Sequence, residues 1–324
     1  MRAILCKELG HPSKLVLEDI PSPTPGRKEV LVSIKACSLN YPDTLMVQGL
    51  YQFKPELPFS PGSDIAGIVK AVGEGVKHVK AGDSVFGIVP HGGFAEEVVA
   101  PANSVFPKPP MMDDKIAASF MMAYGTSYHA LKDRAQLKEG ETLVVLGASG
   151  GVGLAAVELG KHMGAKVIAA ASTDEKLTLC RKYGADETIN YKKEDLKKRI
   201  KELTDGNGAD VVYDPVGGDY TEAALRAMAW KGRFLVVGFP AGIAKIPMNL
   251  PLLKGCQIVG VFWGSFAMRF PNENMGNTME LIQMYASGEL KPYIQKTYPL
   301  EDAAQALTDM MERKVMGKVV IVND

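Results

Sequence analysis

The chain has 324 residues, of which 46% are apolar and 23% charged, so it has room for two domains with a sizeable buried core. Thirty-seven basic and 37 acidic residues give a formal charge of zero, which offers no electrostatic basis for binding nucleic acid or an anionic membrane. No apolar run approaches the ~20 residues of a membrane span, and the first ten residues lack the apolar core of a signal peptide. With four cysteines that show no paired spacing, these features predict a cytoplasmic protein with free thiols.

Residues 1 to about 110 carry short apolar runs separated by turn residues, which predicts a small barrel-like β domain. The runs are Ala3–Cys6, Leu15–Leu17, Val30–Cys37, Ile65–Val72, Val85–Val89 and Ala95–Ala100. Two helices, Asp113–Met121 and Tyr124–Lys132, are predicted to follow.

Residues 142–174 predict a strand, a glycine turn, a helix and a second strand. Thr142–Leu146 and Val167–Ala171 are apolar runs of strand length, and Leu154–Met163 has helical spacing. A turn without side chains lets a pyrophosphate approach backbone N–H groups, and the helix N-terminus adds its positive dipole end. We therefore predict a dinucleotide site; a tight turn in another α/β protein is the alternative. The glycines are Gly147, Gly150, Gly151 and Gly153.

The residues after the second strand indicate which dinucleotide is bound. NAD sites usually place an acidic side chain there to accept hydrogen bonds from the ribose, and here the strand ends in alanines followed by Ser172 and Thr173. The Ser172 hydroxyl and the Lys176 cation suit a 2′-phosphate, so NADPH is favoured. Asp174 and Glu175 argue against this choice unless they are first-turn helix charges.

After Asp174 helices and strands alternate, which predicts a doubly wound parallel sheet. A loop rich in proline and glycine, Phe239–Leu250, interrupts the series. The last strand is too distant to extend this sheet and is assigned to the N-terminal domain. The predicted elements are helix Glu175–Tyr183, strand Glu187–Asn190, helix Glu194–Leu203, strand Asp210–Tyr213, helix Asp219–Ala229, strands Arg233–Val237 and Ile258–Val261, helices Gly276–Ala286 and Leu300–Arg313, and strand Lys318–Val322.

Several short motifs, in this order and spacing, resemble the zinc-independent, quinone oxidoreductase (ζ-crystallin-like) branch of the medium-chain dehydrogenases/reductases. They are Asn40–Asp43, Leu57–Gly67, Ala81–Val85, Gly92–Glu96, Ala123–Thr126, Gly147–Gly153, Asp214–Gly218 and Gly317–Val320. The resemblance implies an α/β protein with a GroES-like β-barrel domain (residues 1–122 and 266–324) and a Rossmann NADP(H)-binding domain (residues 123–265). It also implies an active cleft between these domains and a homodimer formed through the sheet edge at Cys256–Val261.

The zinc-binding motifs of the superfamily are incomplete in this chain. Zinc members carry a Gly-His-Glu segment, which is Gly62-Ser63-Asp64 here, and a four-cysteine loop that is absent. A catalytic zinc needs about three protein ligands. We therefore expect no metal, with Cys37 as a buried small side chain.

The resemblance also implies cofactor contacts outside the glycine turn. Asn40 and Thr126 are implied to approach the nicotinamide ribose or the phosphates, and Tyr191 the 2′-phosphate. Backbone groups at the ends of two strands are implied to hold the carboxamide. Some of these residues also have a simpler interpretation without cofactor contact. Phe262 could be a core-packing residue, and Tyr191, Arg313 and Lys318 could be ordinary surface side chains. The implied contacts are Asn40, Thr126, the turn with Ser149 and Val152, Tyr191, Val237-Gly238-Phe239, Phe262-Trp263-Gly264 and Lys318, with Arg313 as a weaker candidate.

Hydride transfer needs no bond-forming side chain, because the nicotinamide carries the hydride. Without a Lewis acid, quinones and activated enones accept hydride better than simple aldehydes. Tyr51, with Asn40, is the catalytic candidate, either as a proton donor or as an aromatic wall of the pocket. The sequence favours an NADPH-dependent reductase of a small quinone or enone. An NADPH-binding structural or redox-sensing protein and an enoyl-thioester reductase are the alternatives.

Overall fold

The computed structural model describes residues 1–323, and its strands and helices are numbered along the chain. The first part contains β1 (Arg2–Leu5), β2 (Val16–Asp19), β3 (Glu29–Ser38), α1 (Tyr41–Val47), β4 (Asp64–Val72), β5 (Ser84–Ile88), β6 (Glu97–Pro101), β7 (Val105–Pro107) and α2 (Asp114–Tyr128). The middle part contains β8 (Thr142–Leu146), α3 (Gly151–His162), β9 (Lys166–Ala171), α4 (Asp174–Lys182), β10 (Glu187–Asn190), α5 (Leu196–Leu203), β11 (Ala209–Asp214), α6 (Asp219–Arg226), β12 (Met228–Val236), α7 (Asn249–Lys254) and β13 (Gln257–Gly260). The last part contains α8 (Trp263–Arg269), α9 (Pro271–Ala286), β14 (Ile294–Pro299), α10 (Ala303–Met311) and β15 (Lys318–Val322).

Contacts divide the chain into two units. The first consists of Met1–Met122 together with the chain from Pro292 on, and the second of Ala123–Lys291. Residues 266–291, which the sequence analysis groups with the tail, thus belong to the second unit. Helix α9 occupies most of that segment, and its contacts with α8 hold it there.

The first unit is built on a seven-stranded sheet in the order β14-β15-β3-β4-β5-β7, with β6 also paired to β3. Strand β3 is the centre of this sheet, because it pairs antiparallel with β4, β6 and β15. The predicted return of the last strand to the N-terminal domain is confirmed by the pairing of Val320 with Ser38. This pairing places Lys318, at the start of β15, near the residues that follow β3.

The second unit contains a six-stranded parallel sheet in the order β10-β9-β8-β11-β12-β13. Strand β8 is almost wholly buried, as expected for a strand with helices on both faces. The strand order changes direction between β8 and β11, and in such sheets the ligand binds at the carboxyl ends of the strands at this point. The predicted doubly wound sheet is confirmed. None of the helices described in residues 1–323 is long and apolar enough to cross a membrane.

Helices predicted at Asp113–Met121 and Tyr124–Lys132 are one helix, α2, followed by a π-helical segment at His129–Arg134. Gly125 lies inside α2, where a Cβ would be 2.8 Å from the Trp263 ring, so the glycine allows the helix to pack closely against that ring. Helix α1 was not predicted, although Asn40 before Pro42 is a typical helix start. Helices α7 and α8 and strands β7 and β14 were also missed, and each is short or lies in a segment rich in proline or glycine.

Gly153 provides a test of the glycine turn. A Cβ at Gly153 would lie 2.3 Å from the Gly147 carbonyl oxygen, which is backbone and cannot move aside. We expect Gly153→Ala to lower the free energy of unfolding by about 1–3 kcal/mol, measured by urea denaturation. The control is Gly276→Ala in helix α9, where a Cβ meets nothing within 4 Å. That change should leave stability unchanged or raise it by up to about 1 kcal/mol. Equal effects at both sites would contradict the close approach.

Candidate functional site

The turn between β8 and α3 leaves backbone groups accessible to an anion. Gly147 has a positive φ of 56°. Gly150 occupies the N-cap position of helix α3, and no side chain there accepts a hydrogen bond from the first N–H groups of the helix. The missing Cβ of Gly153 lets the first turn of α3 lie directly on the backbone of Gly147 and Ala148. First-turn N–H groups of a helix lack intrahelical partners, so an uncapped N-terminus favours a bound phosphate. Ser149 lies in the turn between β8 and α3, and Val152 is in the first turn of α3.

A hydroxyl group fixes the position of the start of α3. Ser127 donates from Oγ to the carbonyl of Val152 at 2.7 Å, and its Oγ lies 3.0 Å from the hydroxyl of Tyr213. Thr126, a predicted cofactor contact, is the residue before Ser127 on α2. The sequence analysis missed Ser127, although the Gly-Thr-Ser run was a usable signal. This bond ties α2 to the glycine turn.

A second turn, at the carboxyl end of β11, lies beside the first. The buried carboxylate of Asp214 accepts from the backbone N–H groups of Val216 and Gly217 at 2.9 Å and from the Thr221 hydroxyl at 2.6 Å. Burial raises the pKa of Asp214, and these three donors oppose the rise. A Cβ on Gly147 would meet Val216 at 2.7 Å, so the two turns are in close contact.

Val237-Gly238-Phe239 follows β12 and joins the same edge of the sheet. Val237 and Gly238 both donate from their backbone N–H groups to the carbonyl of Asp214, at 3.0 and 3.3 Å. Phe239 is 45% exposed. The structure thus brings the predicted carboxamide-binding segment next to the predicted phosphate-binding turn.

The sequence analysis expects Phe262-Trp263-Gly264 to end a strand, but in the structure this segment does not. Strand β13 ends at Gly260, and Trp263 begins helix α8. Phe262 is 57% exposed, so core packing does not explain it. Trp263 is buried and donates from Nε1 to Asn274 at 2.9 Å. Since its ring packs on Gly125, beside Thr126, this segment still lies near the other predicted contacts.

The predicted 2′-phosphate residues occupy the adjacent carboxyl ends of β9 and β10. Thr173 caps α4 by accepting from the N–H of Lys176 at 3.3 Å, which places Ser172 between strand and helix. Tyr191 follows β10, donates its N–H to the Ala171 carbonyl at 3.2 Å, and packs against the Tyr220 ring with centroids 4.4 Å apart. The structure therefore places Ser172 and Tyr191 directly after two adjacent strands and Lys176 in the first turn of α4.

In the first unit, Asn40 and Lys318 form a buried polar pair. Lys318 donates from Nζ to the Asn40 amide oxygen at 2.6 Å and to the Leu39 carbonyl at 3.0 Å. Its side chain is 7% exposed and lies 3.9 Å from the Asp64 carboxylate. Burial lowers the pKa of Lys318, and the nearby carboxylates of Asp64 and Asp43 oppose that change. In this structure the ammonium group orients the Asn40 amide, and its predicted phosphate contact stays a prediction.

Two buried carboxylates surround this pair. Asp43 accepts from the backbone N–H of Asn40 at 2.7 Å, and Asp64 accepts from the Ser38 hydroxyl at 3.2 Å. Burial raises the pKa of Asp43 to about 6 and that of Asp64 to about 7, although Lys318 counteracts both shifts. From the sequence, Asp43 either orients a neighbouring side chain or is a turn carboxylate, and Asp64 is only a motif residue. Their burial beside a lysine could not be predicted before β15 was placed next to β3.

Tyr51 lies in the bend after α1. It packs against a buried cluster of Cys6, Met46, Val47 and Phe59 and is itself only partly buried. Burial raises the pKa of its phenol, and the negative charge of Asp43 raises it further. Both effects make the hydroxyl a weaker proton donor.

Cys37 and Ser63, which lie at or near positions where zinc-binding members of the superfamily carry their ligands, make other contacts. Cys37 lies so close to Gly93 that a Cβ there would be 2.5 Å from its sulfur, and burial raises the pKa of the thiol well above its usual value. The Ser63 hydroxyl donates to the Pro90 carbonyl at 3.4 Å. Among residues 1–323, no three His, Cys, Asp or Glu side chains are grouped to hold a metal ion.

Comparison with known proteins agrees with this architecture. Residues 26–110 match the alcohol dehydrogenase GroES-like domain, and residues 151–283 match the zinc-binding dehydrogenase family. The chain is 41% identical over 325 residues to the quinone oxidoreductase-like protein 2 homolog of Nematostella vectensis, covering 99% of this chain and 88% of that one. It belongs to the quinone oxidoreductase family. The predicted resemblance and the predicted fold, a GroES-like domain with a Rossmann sheet, are confirmed.

Solved structures of quinone oxidoreductases extend the likeness over the full length. The Escherichia coli quinone oxidoreductase complexed with NADPH has a TM-score of 0.95 and 31% identity, with both chains covered completely. A mycobacterial protein complexed with NADPH has a TM-score of 0.94 and 32% identity, again with full coverage of both chains.

Lys318→Met separates two roles for this lysine. The sequence predicts reduction of a quinone or enone with NADPH as cofactor. If Lys318 acts by orienting Asn40, the kcat of this reaction should fall while the Kd of NADPH changes less than about threefold. If it binds a cofactor phosphate, Kd should rise roughly 10-fold or more, because a charge-assisted bond is lost. Fluorescence titration and steady-state kinetics measure both. Lys77→Met, at an exposed lysine, is the control for loss of charge.

Proposed function

We propose that this member of the quinone oxidoreductase family is an NADPH-dependent reductase of quinones or α,β-unsaturated carbonyls. The observation that carries the proposal is the glycine turn before α3, with no side-chain cap on the helix, beside the ends of β9 and β10 that carry Ser172, Lys176 and Tyr191. The full-length similarity to quinone oxidoreductases solved with NADPH supports the same cofactor. The family itself indicates an oxidoreductase acting on a small molecule.

The residues present fit NADPH. The backbone of Gly147–Gly153 would hold the pyrophosphate, because the missing side chains of its glycines leave room there. Ser172, Lys176 and Tyr191 would hold the 2′-phosphate, and Val237–Phe239 with Phe262–Gly264 would contact the carboxamide. Thr126 and Asn40 would position the nicotinamide ribose, with Asn40 fixed by Lys318. When bound, NADPH supplies the hydride.

The acceptor is inferred from the side chains near Asn40. The described residues assemble no Lewis-acid site there, because Cys37 packs against Gly93 and Ser63 donates to a backbone carbonyl. A quinone or conjugated enone delocalises the charge that hydride transfer creates, so positioning alone can suffice. Tyr51 serves as a wall of the acceptor site, because its raised pKa and its apolar neighbours disfavour proton donation.

Acceptor kinetics test this proposal. Small quinones or conjugated enals should oxidise NADPH, and simple alcohols should not reduce NADP⁺, with activity retained in a strong chelator. For Tyr51→Phe we expect a small change, mostly in KM, since the reduced quinone can take its proton from water. A loss in kcat of roughly 10²–10⁴-fold would instead identify Tyr51 as a general acid.

Three results would contradict the proposal. Robust alcohol oxidation without response to quinones would contradict the reaction. Failure of a quinone to oxidise bound NADPH in a single turnover would favour a binding protein of low turnover. Preference for enoyl-thioesters over quinones would favour the thioester reductase.

A homodimer is proposed from the sheet edge. Strand β13 is the last strand of its sheet and pairs with β12 on one side, and within residues 1–323 no strand pairs with its other side. Ile258 on this strand is 38% exposed, and the nearby sequence carries further exposed apolar residues, Leu252 and Leu253. A second copy adding its own β13 would satisfy this edge.

Light scattering at micromolar concentration tests the assembly. The protein should have twice the chain mass, and Ile258→Lys should shift it to the monomer by placing a charge at the paired edge. Met111→Lys, at an exposed apolar residue of the first unit, should leave the dimer intact. A monomeric wild-type protein would refute the proposal.

A further inference from the structure

An acidic residue lies shortly after the strand end at which NAD-binding sheets carry their ribose acceptor, and both of its oxygens are engaged. Asp174 is the first residue of α4, three positions after the end of β9. Its Oδ1 accepts from the Asn190 side chain at 2.6 Å, and its Oδ2 from Lys193 Nζ at 2.6 Å. The hydrogen bond from Lys193, supported by that from Asn190, holds the pKa of this carboxyl below its usual range.

The partners of Asp174 are fixed by the sheet. Asn190 is the buried last residue of β10, and its position is set by its pairing with Ala171 of β9. The N–H of Lys193 donates to the Asn190 carbonyl at 2.9 Å, which forms a turn directly after the strand. This turn carries Tyr191 and brings the Lys193 ammonium to the start of α4. The neighbouring acid Glu194 is itself paired with Arg199 at 2.9 Å.

We propose that Asp174 and Lys193 together set the preference for a 2′-phosphorylated cofactor. An unpaired carboxylate at this position would repel the phosphate and would accept hydrogen bonds from the ribose hydroxyls of NADH. With Lys193 and Asn190 bonded to it, Asp174 does neither, and it holds the Lys193 ammonium group at the start of the helix that carries Lys176. Lys193 thus neutralises Asp174, which leaves Lys176 and the exposed acid Glu175 as the other charges of this helix turn. The inference rests on the proposed binding of NADPH.

Calorimetric titration with 2′,5′-ADP and 5′-AMP tests this pair without requiring catalysis, because the two probes differ by the 2′-phosphate alone. Lys193→Met should weaken 2′,5′-ADP binding roughly 10-fold, as for loss of a charge-assisted contact, and should not weaken 5′-AMP binding by more than about twofold. Lys182→Met, at the far end of the same helix, is the matched control and should change neither. The variants lie on the surface, and circular dichroism confirms that each is folded.

The double variant Lys193→Met with Asp174→Asn isolates the role of the acid. Once Lys193 is gone, Asp174 is unmasked and repels the phosphate, so removing its charge should restore at least about threefold of the lost 2′,5′-ADP affinity. A double variant no better than Lys193→Met, or equal losses for both probes, would overturn the inference. If the wild-type protein binds 5′-AMP and 2′,5′-ADP equally, both this inference and the choice of NADPH fail. If it prefers 2′,5′-ADP but Lys193→Met does not alter that preference, this inference alone fails.

Discussion

The contact between the first turn of α3 and the end of β8 is the constraint on which the second unit depends. Gly153 lies against the Gly147 carbonyl, and a single methyl group there would force helix and strand apart. Because α3 starts so close to β8, its N–H groups point at the space beyond the sheet edge instead of into a capping side chain. Ser127 and Asp214 then fix the neighbouring segments, one through the α3 backbone and the other through the β11 turn. The anion site is thus a property of backbone packing.

In the first unit the corresponding constraint is the fixed orientation of one side-chain amide, that of Asn40, inside an apolar domain. An asparagine side chain can rotate by 180° and exchange its donor for its acceptor, so its orientation must be imposed by neighbours. The Lys318 ammonium, which can only donate, determines that the Asn40 oxygen faces it. A buried ammonium needs a nearby negative charge, and Asp64 and Asp43 supply it. The pairing of β15 with β3 therefore joins the end of the chain to a predicted catalytic residue.

Much of the fold was predictable because strand and helix periods are local. Strand β8 and strand β15 begin and end where their apolar runs do, and the glycine turn was recognisable from spacing alone. The sequence predictions that failed concern residues whose surroundings are set by contacts with distant parts of the chain. The sequence predicts two helices separated at residues 122–123, yet the structure has one continuous helix, α2, whose Gly125 packs against an indole ring from far along the chain. The burial of Lys318 could not be predicted either, since a lysine at the start of a final strand is ordinarily exposed and only tertiary pairing covers it.

Cofactor choice shows why a site cannot be inferred from residue types alone. By sequence, Asp174 counts against a 2′-phosphate, because an acid near the end of the second strand is the usual ribose acceptor. In the folded chain its charge is balanced by Lys193, nineteen positions later, and its geometry is fixed by Asn190 at the end of the neighbouring strand. Parallel strands bring their carboxyl ends to one edge, so residues from separate βα units meet there as one electrostatic group. The sign that a phosphate encounters belongs to that group, so the effect of the aspartate depends on the residue at position 193.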